Sequence, residues 1–520
     1  MALECCITTG RYRWHRAHPV YATGFIWELD QYISGLQLTE RISSHCADFQ
    51  CFRAWCSGLN GQFSFIVQHA DQTWLACSLI WAYPLFYSAS LKKIFITDTP
   101  EDLARIHRSP LAGEEVQLYF LQFCATPGAK TLAGNISQLQ PGEVVCIDHA
   151  TGSVQSARDI GNLYAGDPYS PEKLRESLFR SFRRYYHSVE KKRVLLPLTC
   201  GYDSRLLACL LKEYGHRDVV CATWGRATNP ERVAQTLGFK YHFITYDPRL
   251  VGGFTQLPEI IPFLDYCGHL SSMPYLQDYF AVKQLTDEGI IDDKTVAIPG
   301  LSGDFIRGSH LYDQLPTARD KDITRSLISM FGNSYARTKS ERKMLADTIL
   351  KYHFDLFSSL SPTGKFDLWD YTERQAKFIG NSSQVYNYFG MDHMAVLLDR
   401  EIVDLFLNLP FEQRIGSKLY NETLEKLLFK PLKVDFDLKP PVSTSGKWKP
   451  VKERISAVVP RYFKKWYYPM QDDVYYREIT SELMKTDPAV RYRHPLKSHY
   501  YNCYLVQWYL NRVRGVLQRF

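Results

Sequence analysis

Hydrophobic and polar positions change their period along this chain. Up to about residue 155 the apolar residues come in short runs, FSFIVQ (63–68), TWLACSLIW (73–81), KIFITD (93–98) and EVVCID (143–148), separated by Gly, Pro, Asn and Asp. Runs of this length bounded by turn residues predict β-strands, and hence a sheet-rich first domain over 1–158. Residues 159–170 mix Gly, Asp and Pro without periodicity and predict a linker, ending with Ser170 as N-cap and Pro171 at the first helical position. Leu174, Leu178 and Phe182 then recur every four residues and predict one apolar helix face, with Arg180, Arg183 and Arg184 largely elsewhere around it.

The segment RVLLPLTCGYDSRLLACLLKEYGHRDVVCATWG predicts a buried strand over 194–198, a polar loop, a helix over 204–214 closed by Gly215, and a second strand over 219–224. That is a βαβ unit. A helix near 231–237, a strand over 240–246 and a β-like run over 295–300 continue the alternation and predict a parallel α/β sheet. From about residue 320 the pattern is mainly helical, as in REIVDLFLNLP and SKLYNETLEKLLF. The second domain is therefore taken as 171–520.

Composition narrows the class. The 520 residues are 45% hydrophobic and 22% charged, as in ordinary globular proteins. Thirteen Cys without a C-x-x-C pair, and a start without the apolar core of a secretion signal, predict free thiols and a cytoplasmic location. No stretch approaches the roughly 18 apolar residues of a membrane span, since Asp399, Arg400 and Glu401 interrupt the best one. Cys46, Cys51 and Cys56 recur every five residues without paired His, which favours core thiols over a zinc site.

The net charge of +7 is uneven: residues 446–520 hold 15 Lys plus Arg against six Asp plus Glu, so this segment is +9 and the rest −2. It is interleaved with Trp448, Trp466, Tyr467, Tyr468, Tyr475, Tyr476, Trp508 and Tyr509. A helical cap with packed aromatics and solvated charges is the favoured reading. A docking surface for an anionic nucleotide sugar or glycan is the alternative, and nucleic acid is the least favoured partner.

Two loops carry candidate chemistry. A strand ending at Leu198, then Thr199, Cys200, Gly201, Tyr202, Asp203 and Ser204 before a helix, places backbone N–H groups and a helix N-terminus at the carboxyl edge of a parallel sheet, where phosphates bind. Gly201 permits close approach, Thr199 and Ser204 offer hydroxyls, and Asp203 suits a divalent cation. An N-capped helix without a ligand fits the same residues. A second loop, Gly300-Leu301-Ser302-Gly303-Asp304-Phe305-Ile306-Arg307-Gly308, follows the later strand. It would bring Asp304 to the same edge, and two carboxylates suit Mg²⁺, which keeps phosphate oxygens and water as its other ligands. Considered alone, it is equally a Gly-rich turn.

Together the loops resemble those of the asparagine synthetase family, a Ser-Gly-Gly-x-Asp-Ser loop and a later Gly-x-Gly-x-Asp-Glu loop. Leu59-Asn60-Gly61-Gln62-Phe63-Ser64-Phe65 and Pro84-Leu85-Phe86-Tyr87 are similar to strands of that family's glutaminase domain, and Leu397-Leu398-Asp399 to its Pro-Phe-Leu-Asp, with Val396 in place of the proline. The resemblance implies an Ntn-hydrolase-like sheet-rich domain followed by an ATP-pyrophosphatase (adenine nucleotide α-hydrolase-like) parallel α/β domain with a helical C-terminal part. It implies ATP and Mg²⁺ as cofactors: Leu198, Thr199, Gly201, Ser204, Trp224 and Gly300 near the nucleotide, and Asp203 and Asp304 on the metal. Phe305 stands where the family has a glutamate, which puts the role of that carboxylate in doubt.

The family's glutaminase uses an amino-terminal Cys as nucleophile, and here position 2 is Ala. The family's Arg-Asp pair falls near Cys77-Ser78, whereas Asn60 and Gly61 resemble its oxyanion-hole pair. The resemblance thus implies a first domain that keeps the fold without glutaminase activity. It implies a ligase that activates a small-molecule carboxylate as an acyl-adenylate and couples it to ammonia or an amine, the acid being aspartate or a sugar uronate of surface polysaccharides. Among Lys439, Lys447 and Lys449, Lys447 is the expected catalytic lysine. An inactive scaffold and a β-lactam or peptide-cyclase type of synthetase are the alternatives.

Overall fold

The computed structural model describes residues 4–89, 93–158, 171–225, 230–333, 335–436, 476–490 and 501–519. Strands β1 (Glu4–Thr8), β7 (Phe86–Ala89), β8 (Lys93–Thr97) and β9 (Ser137–Gln138) form one sheet in the order β1-β8-β7-β9. A second sheet runs β11 (Val154–Arg158), β10 (Glu143–Asp148), β6 (Gln72–Cys77), β5 (Asn60–Gln68), β3 (Val20–Glu28), β2 (His15–Ala17), with β4 (Gln31–Ser34) also on β3. Side-chain alternation explains how the sheets stack. Phe63, Phe65, Val67, Trp74, Ala76, Val144 and Cys146 face the helices Gly35–Ser43 and Phe49–Gly58, while Ile66, Leu75, Cys77, Val145 and Ile147 face the first sheet. The predicted run 73–81 ends at Cys77 because Trp81 takes a left-handed turn, its φ at 55°, and sends its indole to the Leu139 carbonyl at 2.7 Å. Of the three cysteines spaced by five, Cys56 is buried, whereas Cys51 is exposed and not a core thiol.

The second region contains the predicted parallel sheet. Strands β12 (Val194–Pro197), β13 (Val219–Trp224), β14 (Lys240–Ile244), β15 (Val296–Ala297) and β16 (Asp392–His393) lie in the order β14-β13-β12-β15-β16, every neighbouring pair parallel. Both faces are covered, as a parallel sheet requires: Val194, Leu196 and Cys221 pack with the helices Pro171–Val189 and Tyr202–Glu213, and Leu195, Val220 and Ala222 with Ile260–Gly268 and Leu276–Asp287. Leu174, Leu178 and Phe182 are buried as their spacing predicts. The run predicted over 295–300 forms only a two-residue strand, although Ile298 N–H still donates to the Leu195 carbonyl at 2.9 Å. Pro299 has no N–H to carry the ladder further. No helix among the described residues is long and apolar enough to cross a membrane.

Buried polar contacts join the two regions. Asp399 is fully buried, caps the helix Arg400–Asn408 through Glu401 N–H, and accepts from Arg184 at 2.9 and 3.1 Å, from Ser181 at 3.1 Å and from Asn60 of β5 at 2.9 Å. In a π-helical segment, Asp370–Ile379, the Lys377 ammonium donates to Glu373 at 2.6 Å and to the Gly128 carbonyl at 2.7 Å. The His353 Nε2 lies 3.3 Å from the same carboxylate. Burial alone would raise the Glu373 carboxyl, but Lys377 and His353 outweigh it and hold the group near a pKa of about 2. A carboxyl held below its ordinary value stabilises the fold above about pH 4.5 and loses that contribution as pH falls toward about 2. Glu373→Gln leaves the Lys377 charge buried without its partner and is expected to cost about 3–5 kcal/mol at pH 7 in urea denaturation. The variant should also lose the part of the wild-type decline in stability that falls between those two pH values.

Candidate functional site

The site begins where β12 stops. Leu198 N–H continues the ladder to the Ala222 carbonyl at 2.8 Å, and the Thr223 hydroxyl donates to the Leu198 carbonyl at 2.6 Å, which ties the loop to β13. Thr199 N–H donates to Ser204 Oγ at 3.0 Å, the two hydroxyls lie 3.0 Å apart, and Gly201 N–H donates to Thr199 Oγ1 at 3.2 Å. The loop thus folds on its own side chains just before the helix Tyr202–Glu213 begins, two residues earlier than periodicity predicts. Arg205, which the sequence reading passed over, is buried beneath it and donates to the carbonyls of Cys200, Val434 and Phe436.

β15 delivers the second loop against the first. A β-carbon at Gly300 would lie 2.9 Å from Ser204 N, and one at Gly303 would lie 1.9 Å from Asp203 Cγ. Neither glycine has positive φ, so the requirement there is space and not backbone freedom. Asp203 accepts from the buried Tyr420 hydroxyl at 3.2 Å. Burial raises the Asp203 carboxyl to about 6; the Arg307 charge opposes the rise and Asp304 adds to it. Asp304 is exposed and ion-paired with Arg307. Phe305 is 4% exposed and stacks on Tyr371 with ring centroids 5.3 Å apart. The glutamate position of the resembling family is here a core position, where a carboxylate would be desolvated without a partner.

Leu198, Thr199, Asp203, Ser204, Trp224 and Gly300 line one cavity of about 230 Å³, together with Tyr275, Asp278, Tyr386 and Tyr476. Gly201 and Asp304 are not among its lining residues. The Trp224 indole donates to Asp278 at 2.8 Å, and the Tyr476 ring covers Gly225, where a β-carbon would come within 2.8 Å of it. The strand order places this cavity where the winding reverses, between the first strand, β12, and the fourth, β15, outside the carboxyl ends of both. Ligands of open α/β sheets bind in such a crevice. Among the described residues no three His, Cys, Asp or Glu cluster as ligands for a metal ion. Two carboxylates do fit Mg²⁺ that arrives with phosphate oxygens and water.

Other expected site residues are placed differently. Lys447, with Lys439 and Lys449, lies outside the described residues, as do Ala2 and Trp448, Trp466, Tyr467, Tyr468 and Tyr475. The Asn60 side chain is engaged at both ends: one amide N–H bonds Asp399 at 2.9 Å, and its carbonyl accepts from Arg400 N–H at 3.2 Å. The thiol of Cys5 bonds Thr73 at 3.4 Å, and burial raises both Cys5 and Cys6, which keeps them protonated. In the described part of the C-terminal segment, Tyr476 and Tyr509 are buried, Trp508 packs at the edge of the same core, and Arg512 pairs with Asp265 at 3.2 Å.

No known family matches this chain, and no curated protein does. Among solved structures it is similar to the glutamine phosphoribosylpyrophosphate amidotransferase of B. subtilis complexed with ADP and GMP, at 11% identity and a TM-score of 0.18, over 56% of this chain and 58% of that one. A structure of the allosteric regulatory enzyme of purine biosynthesis is similar at 11% identity and a TM-score of 0.19, over 61% and 59%. This chain spans less than two thirds of either, and backbones that overlay so weakly carry no functional argument. What the fold itself defines is a mixed α/β protein, with two stacked sheets in its first region and a doubly covered parallel sheet in its second.

The steric demand at Gly303 is testable. Gly303→Ala should force apart the two loops, lowering stability by about 1–3 kcal/mol in urea denaturation. Gly289→Ala, where an added β-carbon meets nothing within 4 Å but φ is +67°, separates backbone strain from this loop–loop clash.

Proposed function

We propose that the chain is an ATP-dependent amide-forming ligase: a carboxylate attacks the α-phosphorus of ATP, pyrophosphate leaves, and ammonia or an amine displaces AMP from the acyl-adenylate. The observation that carries this reading is the meeting of two strand-end loops at the reversal of strand order, with Asp203 held between Gly303 and Tyr420 beside Asp304. The N-terminus of the helix Tyr202–Glu213 faces the same crevice and favours the negative charge of phosphate.

In this reading Asp203 and Asp304 would hold Mg²⁺, whose charge would offset that of the phosphates. Leu198, Thr199, Ser204 and Gly300 form the phosphate side of the cavity, and Trp224 and Tyr476 its aromatic side. The protein contributes mainly by holding adenylate and amine together away from water. Ammonia or an amine is preferred over glutamine as nitrogen source because position 2, where the resembling family has its nucleophilic Cys, is Ala. Lys447 remains the proposed catalytic lysine, and aspartate or a sugar uronate the proposed acid. The basic C-terminal segment is proposed to cap the second region, with an anionic nucleotide sugar or glycan as its alternative partner.

Pyrophosphate release from ATP, measured against carboxylates that include aspartate and nucleotide-linked uronic acids, tests the reaction. One of them should support Mg²⁺-dependent turnover, with Asp203→Asn and Asp304→Asn each lowering kcat at least about 100-fold. Failure of every carboxylate, with wild-type protein that also binds no ATP, sinks the reading. Ammonium should replace glutamine fully as nitrogen source, and release of glutamate from glutamine alone would show that the first region retains glutaminase activity.

A further inference from the structure

Among the described residues, Arg307 pairs with one candidate metal carboxylate, Asp304, and its charge bears on the other, Asp203. It follows the four-residue helix Gly303–Ile306, pairs with Asp304, and is the leading influence opposing burial at Asp203. An exposed i,i+3 ion pair has little consequence in general. This one differs in two respects: the Arg307 side chain is only 23% exposed, and among the described residues its buried Nε has no hydrogen-bond partner.

Two carboxylates that suit a divalent cation are thus already neutralised in part by a guanidinium. A cation and a guanidinium cannot both sit on the same carboxylates without strong mutual repulsion. Arrival of a cation–phosphate complex must therefore move one positive charge. Gly308, the next residue, is closely packed: its φ is +71° and a β-carbon there would lie 2.4 Å from the Arg414 carbonyl oxygen, while Arg414 makes a two-bond pair with Asp367 at 2.8 and 2.9 Å. The partly exposed Arg307 side chain is the part that can swing. A guanidinium presents five donors in a planar fork that matches phosphate oxygens, so for a group displaced from Asp304 a bound phosphate would be a stronger acceptor than water.

We infer that Arg307 is an exchangeable counter-ion, pairing with Asp304 while the site lacks nucleotide and transferring to the pyrophosphate oxygens of the triphosphate when a divalent cation takes the carboxylates. This rests on reading the two loops as a nucleotide site. Arg307 then keeps two carboxylates from repelling one another in the free protein and neutralises the leaving group in the loaded one.

The consequence is a pair of opposite effects that a merely structural arginine does not produce. Arg307→Met keeps the apolar stem and removes the charge. Mn²⁺ binding to the nucleotide-free protein, followed by its paramagnetic signal, should tighten about tenfold in this variant, while calorimetric binding of pyrophosphate in Mg²⁺ should weaken about tenfold. Arg307→Lys should leave Mn²⁺ binding near wild type and weaken pyrophosphate binding, because charge is kept and the fork is lost. Both affinities falling together in Arg307→Met, or neither changing, overturns the inference. If Arg307→Met does not fold, pyrophosphate affinity in Arg307→Lys equal to wild type overturns it. Wild-type protein that binds neither Mn²⁺ nor pyrophosphate removes the nucleotide-site reading itself, a result distinct from wild-type binding that Arg307 does not modulate.

Discussion

The missing β-carbon at Gly303 is the constraint on which the rest of the site depends. Only a hydrogen atom fits between that Cα and the Asp203 carboxylate, since a methyl group would sit 1.9 Å from Cγ. The contact brings two loops separated by about a hundred residues to van der Waals distance. It also removes water from one side of Asp203, while Tyr420 covers another with a hydroxyl donor. The carboxyl rises toward neutrality in consequence, which opposes folding at neutral pH for as long as no cation compensates it. The ligand-free protein therefore holds this group at some cost, and that is how a site prepared for a charged ligand differs from an ordinary helix start.

Sheet order makes the contact possible. β12 pairs with β13 on one side and β15 on the other, so the chain leaves the centre of the sheet, winds outward, and returns past its starting strand. At that reversal the loops after β12 and β15 lie side by side at the carboxyl edge of the sheet, where a crevice forms. The brevity of β15 contributes too: Pro299 ends its ladder after Ile298, and the chain is free to turn at Gly300 directly over Ser204.

The parts legible in sequence are those governed by local spacing. The βαβ unit, the helix Pro171–Val189 and both loops could be read from runs of Leu and Val, from i,i+4 spacing and from Gly beside Asp, and all but one of the cavity residues expected near a nucleotide do line one cavity. Gly201, the exception, spends its N–H on Thr199 within the loop. What was not legible depends on partners far away in the chain. β1 to β4 pass unnoticed because their polar and apolar residues do not alternate cleanly; β3 buries residues on both faces and carries Gly24 in its middle. Asn60 looks like a catalytic amide in sequence, and its bond to Asp399, 339 residues later, could not be read there. Phe305 looks like a lost carboxylate and is a core ring stacked on Tyr371. Arg205 and Arg307 look like ordinary helix-surface charges, and the burial of Arg205 and of the Arg307 Nε follows only from the loops packed over them.

The polar contacts between the two regions answer a need that apolar packing alone does not meet. Hydrophobic faces are tolerant of small slides, whereas Asp399 accepts from an arginine and a serine of the helix Pro171–Val189 and from an asparagine of β5, and Lys377 reaches both Glu373 and the Gly128 carbonyl. A slide of one ångström would break several of these bonds in a dry environment where no water replaces them, so each network admits one arrangement. Asp399 also caps the helix Arg400–Asn408, which packs against the short helix of the second loop and so passes that alignment toward Asp304 and Arg307. The separation between two ionisable groups at the sheet edge is thereby set by carboxylates buried elsewhere. A counter-ion exchange at Arg307 requires that rigidity, because the guanidinium can change partners by rotating its side chain only if Asp203 and Asp304 stay where the cation must find them.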